Sequence, residues 1–460
     1  MRRTAMLAGL ALLVGTAACN DFLNATAAVS DPNQPTTANR NTLLPGVAAS
    51  IMTQQEGGPA MAVCEWMQQC GGVAGRFVEE YYKYTGVTGQ SFNLEFNSIY
   101  AAGGLVSIRA IEDEATQAND PVYRGVAEVL EVVNMMWAAD LWGDVPYSDF
   151  APGKATATYD KQMTVYASLQ TLLDKAITDL AGNSPGPVKF DIFYQGNAAK
   201  WTKLAHTLKA RLALRTVEVQ GTAQYNLALA QANLGINAAD GSEDFKGIHT
   251  GNTSERNMWA QFQISSFGND LVAGAPLVDL MKADNDPRLP QYFGQNSNTA
   301  CTTPLCRYGG RDPLDRVSAA NISPLKGSGR TNNVTFAQPL VSWEENQLIK
   351  AEAYVQLGQV ALAQPLLDAV RAKYGKASKP ATLQSVMEEK YINLFQNVET
   401  WSDFRRTCYP RLTPAGSAFA AVPGRFLYGT TEKQTNPNVP AEASRETGRN
   451  QNDPNPCPTT

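Results

Sequence analysis

The sequence predicts a mainly α-helical protein, a tetratricopeptide-like helical scaffold that carries long irregular loops and a few short strands. Three observations lead to this fold class. Apolar residues recur at three- and four-residue steps, one segment of about 34 residues has the spacing of a helical repeat, and two other long segments are rich in Asn, Gly, Pro and Thr with little periodicity. With 460 residues, of which 43 % are apolar, the chain can form a large core.

The clearest helix follows Asp120. Asp is a good N-cap and Pro121 suits the first helical turn. Apolar residues then repeat with helical spacing as far as Leu141. Gly143 can adopt the left-handed conformation that often ends a helix, and Pro146 blocks continuation. We therefore expect a long helix between Asp120 and Gly143.

Two further helices follow in the first half of the chain. The first runs from about Asp160 to Gly182, and the second, WTKLAHTLKARLALR, begins after Asn197. Arg215 lies on the apolar side of this helix, so it needs a carboxylate partner if it is buried. We expect an ion pair that joins helices. His206 lies off the apolar stripe and is expected to be a flanking, hydrogen-bonding residue.

A helical repeat covers Ser342–Gly375. Its small residues and Tyr354 follow the spacing of a tetratricopeptide helix–turn–helix, with Gly358 ending the first helix. Small residues allow paired helices to approach each other closely. Further helices are predicted at about 383–396 and 399–406. This repeat is the reason for calling the scaffold tetratricopeptide-like.

These elements indicate one large domain over residues 43–460. The helical scaffold is expected at about 43–235 and 340–407. The segments at about 236–339 and 408–460 have weak periodicity and are expected to be long ordered loops with short strands.

The N-terminus, MRRTAMLAGLALLVGTAAC, has the organisation of an export signal. A basic start precedes an apolar run too short to span a bilayer, and small residues follow it. We predict a signal peptide over 1–18, lipidation of Cys19 and a polar tether over 19–42. Ordinary cleavage after Ala18, which would leave a free cysteine, is the alternative. Membrane attachment is then expected through the lipid anchor only, because no later apolar run is long enough to span.

The charge composition limits the partners. The net charge is −5 and no block of Lys and Arg follows the signal, so nucleic-acid binding is not expected. The charge is also too small to select an ionic substrate.

Six cysteines remain after Cys19, an even number in an exported chain. We predict disulfides Cys301–Cys306 and Cys408–Cys457, the second of which would hold a tail that lacks periodicity. A Cys64–Cys70 bridge stays open, because it needs a broken helix. Zinc is the weaker interpretation, since there is no CxxC and the chain has two histidines.

The sequence gives little support for catalysis. It contains no GxSxG, no phosphate-binding GxxxxGK[ST] and no GxGxxG, and only His206 and His249 could activate a nucleophile. A glycosidase pair of carboxylates can be neither found nor excluded among 43 acidic residues. Asp284 and Asp286 could contribute to a calcium site, but the sequence around them is more typical of a turn with a helix cap. We predict no catalytic residue, no metal and no cofactor.

Several fragments, in order, resemble the SusD/RagB-like outer-membrane lipoproteins. The most recognisable is ADLWGDVPYSDF (139–150). The others are WTKLAHTLKARLALR (201–215), DNDPRLPQYF (284–293), ENQLIKAEAYVQLG (345–358), ETWSDFRRTCYPRL (399–412) and RFLYGTTEKQTNPNVP (425–440). The chain departs from the family at Thr16 in the lipobox and at 397–399.

The resemblance implies a surface lipoprotein that binds an oligomeric nutrient, a glycan or a peptide. It also implies a TonB-dependent, SusC-like outer-membrane transporter as the partner and no catalytic activity. The stretch at 139–150 would then be an inter-helix corner, in which Trp142 and Tyr147 pack between helices while Asp140 and Asp144 cap and pair. A tetratricopeptide-type adaptor that binds only protein, and a secreted hydrolase, are the alternatives.

Aromatic residues are the expected ligand contacts, because sugar rings and extended peptides are recognised by aromatic faces with a few polar groups. They are concentrated near the start of the domain and in the irregular middle, which contains Phe262 and Phe267. Three aromatics in the four residues 81–84 cannot all face one core on a helix. The predicted ligand contacts are Trp66, Tyr81, Tyr82, Tyr84 and Trp259.

Overall fold

The computed structural model describes residues 39–416, 420–442 and 448–457, and within them it is mostly helical. The helices are α1 (Arg40–Glu56), α2 (Gly58–Trp66), α3 (Asn93–Ser98), α4 (Leu105–Gln117), α5 (Pro121–Trp142), α6 (Gln162–Leu180), α7 (Ala198–Arg215), α8 (Val217–Gln220), α9 (Ala223–Ala232), α10 (Met258–Ile264), α11 (Ala275–Ala283), α12 (Leu289–Tyr292), α13 (Trp343–Gln356), α14 (Val360–Lys373), α15 (Leu383–Asn393), α16 (Glu399–Thr407) and α17 (Thr430–Thr435). The predicted fold class is confirmed.

The scaffold is a series of neighbouring helices. Helix α1 packs on α4, α4 on α5, α5 on α6, and α6 on α7; α9 then bridges α7 and α13, which packs on α14 and α15. Consecutive helices therefore lie side by side, as in tetratricopeptide-like proteins. The irregular segments cover the other side of α5, α7 and α13, so these three helices are buried along most of their length.

The signals at the ends of α5 act as the sequence predicts. The Asp120 carboxylate accepts a hydrogen bond from the Tyr123 amide at 3.1 Å. Gly143 ends the helix with φ +82°, and a Cβ there would lie 2.6 Å from Asn450 Oδ1. A side chain at Gly143 would therefore be both strained and in collision. In the repeat, Ser342 caps α13 and Gly358 has φ +74° between α13 and α14.

Within the described ranges, three short two-stranded antiparallel sheets join separate segments of the chain. They pair β1 (Cys70–Gly72) with β5 (Leu271–Ala273), β2 (Val145–Pro146) with β3 (Tyr159–Asp160), and β4 (Phe245–Gly247) with β6 (Gln338–Val341). The registers include Gly71 opposite Val272 and Pro146 opposite Tyr159.

The described residues contain two disulfides. Cys408 is bonded to Cys457, the pairing that the sequence predicts, and the bridge holds the C-terminal segment against α16. Cys64 is bonded to Cys70, the pairing that the sequence leaves open. This bridge forms because α2 ends at Trp66 and the chain turns into β1, which brings the two Cα atoms to 5.2 Å.

Cys301 and Cys306 carry free thiols, which differs from the predicted bridge. The Cys301 thiol donates to the Cys306 carbonyl at 2.9 Å. Cys306 lies in the short 3₁₀ turn Pro304–Arg307.

Asp284 and Asp286, the calcium alternative, are held in ion pairs. Asp284 pairs with Arg371 at 2.8 Å and with Lys376 at 2.7 Å. Asp286 pairs with Lys376 at 2.8 Å and with Arg288 at 2.5 Å. The carboxylates therefore join the end of α11 to α14 and the segment after it. Among the described residues, no group of three or more His, Cys, Asp or Glu side chains is arranged to hold a metal ion.

The predicted signal peptide and Cys19 lie outside the described residues. Helix α1 begins at Arg40, just inside the segment predicted as a tether over 19–42. In the part of the chain that the structure describes, none of the helices is both long and apolar enough to cross a membrane.

Candidate ligand-binding surface

The five predicted ligand contacts are all core residues, which corrects the sequence-based expectation. The exposed fraction is 0 % for Trp66 and Tyr84, 1 % for Tyr82 and Trp259, and 2 % for Tyr81. A ring stacks on a ligand only if one of its faces is accessible. In this structure none of the five rings therefore presents a face on which a ligand could stack.

The three tyrosines are buried because separate segments cover each ring. Residues Phe77–Tyr82 form a π-helix, and Tyr84 turns the chain away with φ +63°. The Tyr81 ring stacks on Phe92 at 5.7 Å between centroids. Arg311 lies over the Tyr82 ring at 4.6 Å. The expectation that the three aromatic rings at 81–84 cannot all be buried is therefore wrong, because the rings pack against different neighbours.

Trp66 is the centre of an aromatic core that joins four segments. Its ring makes edge contacts with Trp401 and Phe426, at 5.1 and 5.0 Å between centroids, and with Phe92 at 6.4 Å. Phe92 and Phe426 stack on each other at 4.0 Å. Trp66 thus stabilises the contact of the irregular segments with the scaffold.

An exposed apolar surface lies directly outside this core. We name it the aromatic surface and define it by Val73, Arg76, Phe262, Ile264 and Phe267. Phe267 is 60 % exposed, Ile264 58 % and Val73 40 %. Phe262 is half-buried and packs edge-on against Phe77, the first residue of the π-helix, at 5.3 Å. Phe77 in turn contacts Tyr81 at 6.0 Å, so Phe262 is connected through Phe77 to one of the predicted tyrosines.

A tight turn holds Phe267 in place. Asn257 caps α10 by accepting from the Ala260 amide at 3.1 Å. The chain then turns, with the Phe267 amide donating to Ser265 Oγ at 3.2 Å and the Gly268 amide to the Ser265 carbonyl at 3.1 Å. A Cβ at Gly268 would lie 2.2 Å from the Gln263 carbonyl oxygen, so the turn requires glycine. An exposed ring on a fixed turn is suited to stacking on a ligand.

The turn is joined to the strand pair β1–β5. The Val73 amide donates to the Asp270 carbonyl at 2.8 Å, directly after β1. The Asp270 amide in turn donates to the Phe267 carbonyl at 2.9 Å. These bonds fix Val73 beside the turn that carries Phe267.

Polar groups border the aromatic surface. The guanidinium of the exposed Arg76 lies 5.4 Å from the ring centroids of both Phe77 and Tyr81. Burial raises the pKa of Glu95, and the positive charge of Arg76 opposes this shift. Lys326 donates to Asn269 at 2.9 Å. An exposed ring with charged and amide groups around it can bind a ligand that has both apolar faces and hydroxyl or amide groups.

The two histidines have structural contacts. His206 Nδ1 lies 2.8 Å from Gln231 Oε1, in agreement with the flanking position predicted for it. His249 Nε2 lies 2.9 and 3.0 Å from the two carboxylate oxygens of Glu56. Burial raises the pKa of Glu56, and His249 opposes this shift.

The stretch at 139–150 is an inter-helix corner. Trp142 is fully buried and Tyr147 is nearly so. Asp144 accepts from the Gln162 amide at 3.0 Å, at the start of α6, and pairs with Lys161 at 2.8 Å. Asp140 lies in the core. The expected packing and capping roles are both present.

Comparison with known proteins gives a family for the whole fold. A family model described as "Starch-binding associating with outer membrane" matches residues 32–365, and one described as "Susd and RagB outer membrane lipoprotein" matches residues 333–452. No curated protein matches the chain.

Solved structures share the fold at low identity. A SusD homologue from Bacteroides uniformis has a TM-score of 0.73 and 19 % identity over 90 % of this chain and 99 % of that one. A chitin-binding SusD homologue from Flavobacterium johnsoniae has a TM-score of 0.72 and 20 % identity over 89 % and 98 %. A SusD/RagB family protein from Bacteroides thetaiotaomicron has a TM-score of 0.67 and 22 % identity over 87 % and 95 %. Since the two family models together match residues 32–452, the chain belongs to the SusD/RagB family.

Proposed function

We propose that this protein binds an oligomeric nutrient at the cell surface and passes it, unchanged, to a TonB-dependent, SusC-like outer-membrane transporter. The observation that carries the proposal is the match of residues 32–365 to a family described as starch-binding and associated with the outer membrane. A glycan is the favoured ligand, because one structural relative is described as chitin-binding.

The aromatic surface is the proposed contact for this ligand. A pyranose ring has an apolar face that stacks on an aromatic ring and hydroxyl groups that bond to polar neighbours. Phe267 offers an exposed ring, and Arg76 and Asn269 offer hydrogen-bonding groups near it. A peptide with an aromatic side chain could use the same groups, so the test includes both ligand classes.

Calorimetry with maltohexaose, chitohexaose and a panel of short peptides tests this site. Phe267→Ala is expected to weaken binding of the preferred ligand by about 1–3 kcal/mol, the cost of losing an anchoring aromatic. Phe190→Ala is the matched control, because Phe190 is also exposed, at 36 %, and lies outside the aromatic surface. If the two variants bound the ligand equally well, the ligand site would have to lie outside the aromatic surface. Product formation by the purified protein would overturn the proposal that it is not an enzyme.

Lipidation of Cys19 is proposed to hold the protein on the outer face of the outer membrane. The second family model supports this location, since its description names outer-membrane lipoproteins. Protease treatment of intact cells is expected to digest the protein, whereas Cys19→Ala should release it from the membrane fraction. Complete protection from the protease would contradict exposure on the surface.

A groove on the helical scaffold is the proposed contact for the transporter. It measures about 370 Å³ and lies between α6, α7 and α9, with Leu227 at its edge. Leu227 is 53 % exposed, whereas Tyr225, Ala228, Leu229 and Ala232 of the same helix are buried. Leu227→Arg is expected to reduce co-purification of a TonB-dependent transporter from the native membrane while leaving glycan affinity unchanged. Capture of soluble proteins alone would favour the adaptor alternative.

A further inference from the structure

A second concave site lies away from the aromatic surface. It is a cleft of about 440 Å³ between the end of α3, the loop after β2 and helix α17. We name it the Tyr100 cleft and define it by Asn97, Tyr100, Phe150, Glu432 and Asn436, all of which line it. Its volume is in the range of pockets that hold small ligands, about 300–1,000 Å³.

Two aromatic rings form one wall of the Tyr100 cleft. The Tyr100 and Phe150 rings are 5.2 Å apart between centroids and tilted by 34°. Arg109 fixes the second ring, because its Nη1 donates to the Phe150 carbonyl at 3.2 Å and its guanidinium lies 5.8 Å from the ring centroid. Pro146 and Pro152 extend this apolar wall. The wall is therefore held in place before any ligand enters.

The Tyr100 hydroxyl has no hydrogen-bond partner within the described parts of the chain, although it is buried. A buried hydroxyl without a hydrogen-bond acceptor lowers the stability of the folded protein, and such groups are rare in native structures. Burial, together with the negative charge of Glu432, raises the pKa of Tyr100 well above its ordinary value, so the group stays a donor. Because Tyr100 lines the cleft, a ligand oxygen that reaches this hydroxyl would satisfy it.

The opposite side of the cleft carries acceptors. Glu432 Oε1 accepts from the Tyr159 hydroxyl at 3.0 Å and from Asn436 Nδ2 at 2.8 Å, and these bonds orient the carboxylate. The second carboxylate oxygen accepts no hydrogen bond from a described residue and is available to hydroxyl donors. The cleft thus has a donor and an acceptor flanking an apolar wall.

The charges at the cleft disfavour an anionic ligand. Lys154 is paired with Asp149, whose pKa the ion pair and the Thr158 backbone and hydroxyl lower to about 2. The carboxylate of Glu432 has no cationic partner among the described residues and would repel phosphate or carboxylate groups. A neutral ligand with several hydroxyl groups fits better than an ion.

We propose that the Tyr100 cleft is a second saccharide-binding site, which takes a neutral pyranose unit against Tyr100 and Phe150. The Tyr100 hydroxyl donates to a ring or hydroxyl oxygen of the sugar, and Glu432 accepts from a sugar hydroxyl. The inference depends on the proposed function in one respect only, the choice of a saccharide as the class of ligand. It does not require the aromatic surface to bind.

Hydrogen exchange measured by mass spectrometry separates the two sites, because it reports on segments of the full chain. Maltohexaose and chitohexaose, each at about 10 mM so that a millimolar Kd is exceeded, serve as probes. Bound sugar in the Tyr100 cleft is expected to slow exchange in residues 146–157 and 430–436. Sugar on the aromatic surface would slow it in residues 258–273 instead.

Two substitutions test the assigned groups. Tyr100→Phe keeps the ring and removes the unsatisfied hydroxyl, so the fold is retained while the cleft loses about tenfold in affinity. Phe150→Ala is expected to abolish protection at 146–157, and Phe190→Ala and Phe267→Ala are expected to leave it unchanged. Circular dichroism confirms that each variant is folded.

The two sites are judged separately. Protection of the cleft segments supports this inference whether or not residues 258–273 are also protected, and lack of protection at 258–273 contradicts the proposed aromatic surface. Protection at 258–273 alone overturns this inference and supports the aromatic surface. The inference is also overturned if neither sugar protects residues 146–157 and 430–436. It is likewise overturned if the Tyr100→Phe variant binds the sugar in the cleft with the affinity of the wild type.

Discussion

Arg215 holds Asp140 with two parallel hydrogen bonds, from Nε and Nη2 to the two carboxylate oxygens, each 3.0 Å long. The pair joins α7 to the end of α5, within the corner at 139–150. The other edge of the guanidinium contacts Glu399 of α16, with Nη1 donating to Oε1 at 2.8 Å. Although burial opposes ionisation, Arg215 and Arg211 lower the pKa of Glu399 to about 2. One buried arginine therefore connects three helices.

Asp140→Ala is expected to destabilise the protein by about 3–5 kcal/mol, because it leaves a buried guanidinium with an incomplete set of partners. Urea denaturation measures this change. Glu79→Ala is the control, since Glu79 is 62 % exposed in its pair with Lys83, which should contribute less than about 1 kcal/mol. Equal losses for the two variants would contradict the structural role assigned to Arg215.

The ion pairs of Asp284 predict a pH-dependent stability. Burial opposes ionisation, but Arg371 and Lys376 outweigh it and lower the pKa of Asp284 to about 2. The unfolded chain has the ordinary value near 3.8, so the stabilisation is present above about pH 4 and is lost as the pH falls toward 2. Asp284→Asn should cost roughly 1–2 kcal/mol at pH 7, allowing for solvent screening, and much less near pH 2. If Asp284→Asn lowered the free energy of unfolding by the same amount at pH 7 and near pH 2, this assignment would be contradicted.

The disulfide Cys408–Cys457 closes a loop of 49 residues and is expected to contribute about 4 kcal/mol by the chain-entropy estimate. Replacing both Cys408 and Cys457 by serine should therefore lower the free energy of unfolding by about 4 kcal/mol. The Cys64–Cys70 bridge spans 6 residues and should contribute about 2 kcal/mol. Urea denaturation of the two double variants measures the loss of stability for each bridge. A larger loss for the Cys64–Cys70 variant than for the Cys408–Cys457 variant would contradict the chain-entropy estimate. Peptide mapping without reductant reports whether Cys301 and Cys306 stay free.

Tyr81→Ala separates a core role from a ligand role. Its ring is 2 % exposed and stacks on Phe92, so its removal should destabilise the fold by about 3–5 kcal/mol. The glycan affinity of the remaining folded protein should not change. Phe267→Ala should show the reverse, with weaker binding and a stability within about 0.5 kcal/mol of the wild type. A folded Tyr81→Ala protein with lost affinity would restore Tyr81 as a ligand contact.

Local signals predicted most of the helices. Asp120 and Gly143 mark the ends of α5, and Gly358 separates the two helices of the repeat at the position predicted. Caps and periodic apolar faces act between residues close in the chain, so they can be found in one sequence. The need of Arg215 for a carboxylate could be predicted in the same way, but not the identity of Asp140 and Glu399.

The candidate site could be predicted only by region. The aromatic residues near 81–84 and 259–267 lie in neighbouring parts of the fold, but the ones that the sequence selects are buried and Phe267 is exposed. An aromatic in a tight turn that contains Ser265 and Gly268 is the signal that could have identified it. The Tyr100 cleft has no such signal, because Tyr100, Phe150 and Glu432 come from segments far apart in the chain.

By itself, the sequence determined the helical scaffold and its repeat, because these depend on the spacing of neighbouring residues. The family was indicated by the resemblance of several ordered fragments. Only the tertiary structure decided which aromatic rings are accessible. Tyr82 is covered by Arg311, which lies 229 residues away, and Trp66 by Trp401 and Phe426. Whether a ring faces solvent is set by what packs over it, and those contacts come from segments that no local pattern connects.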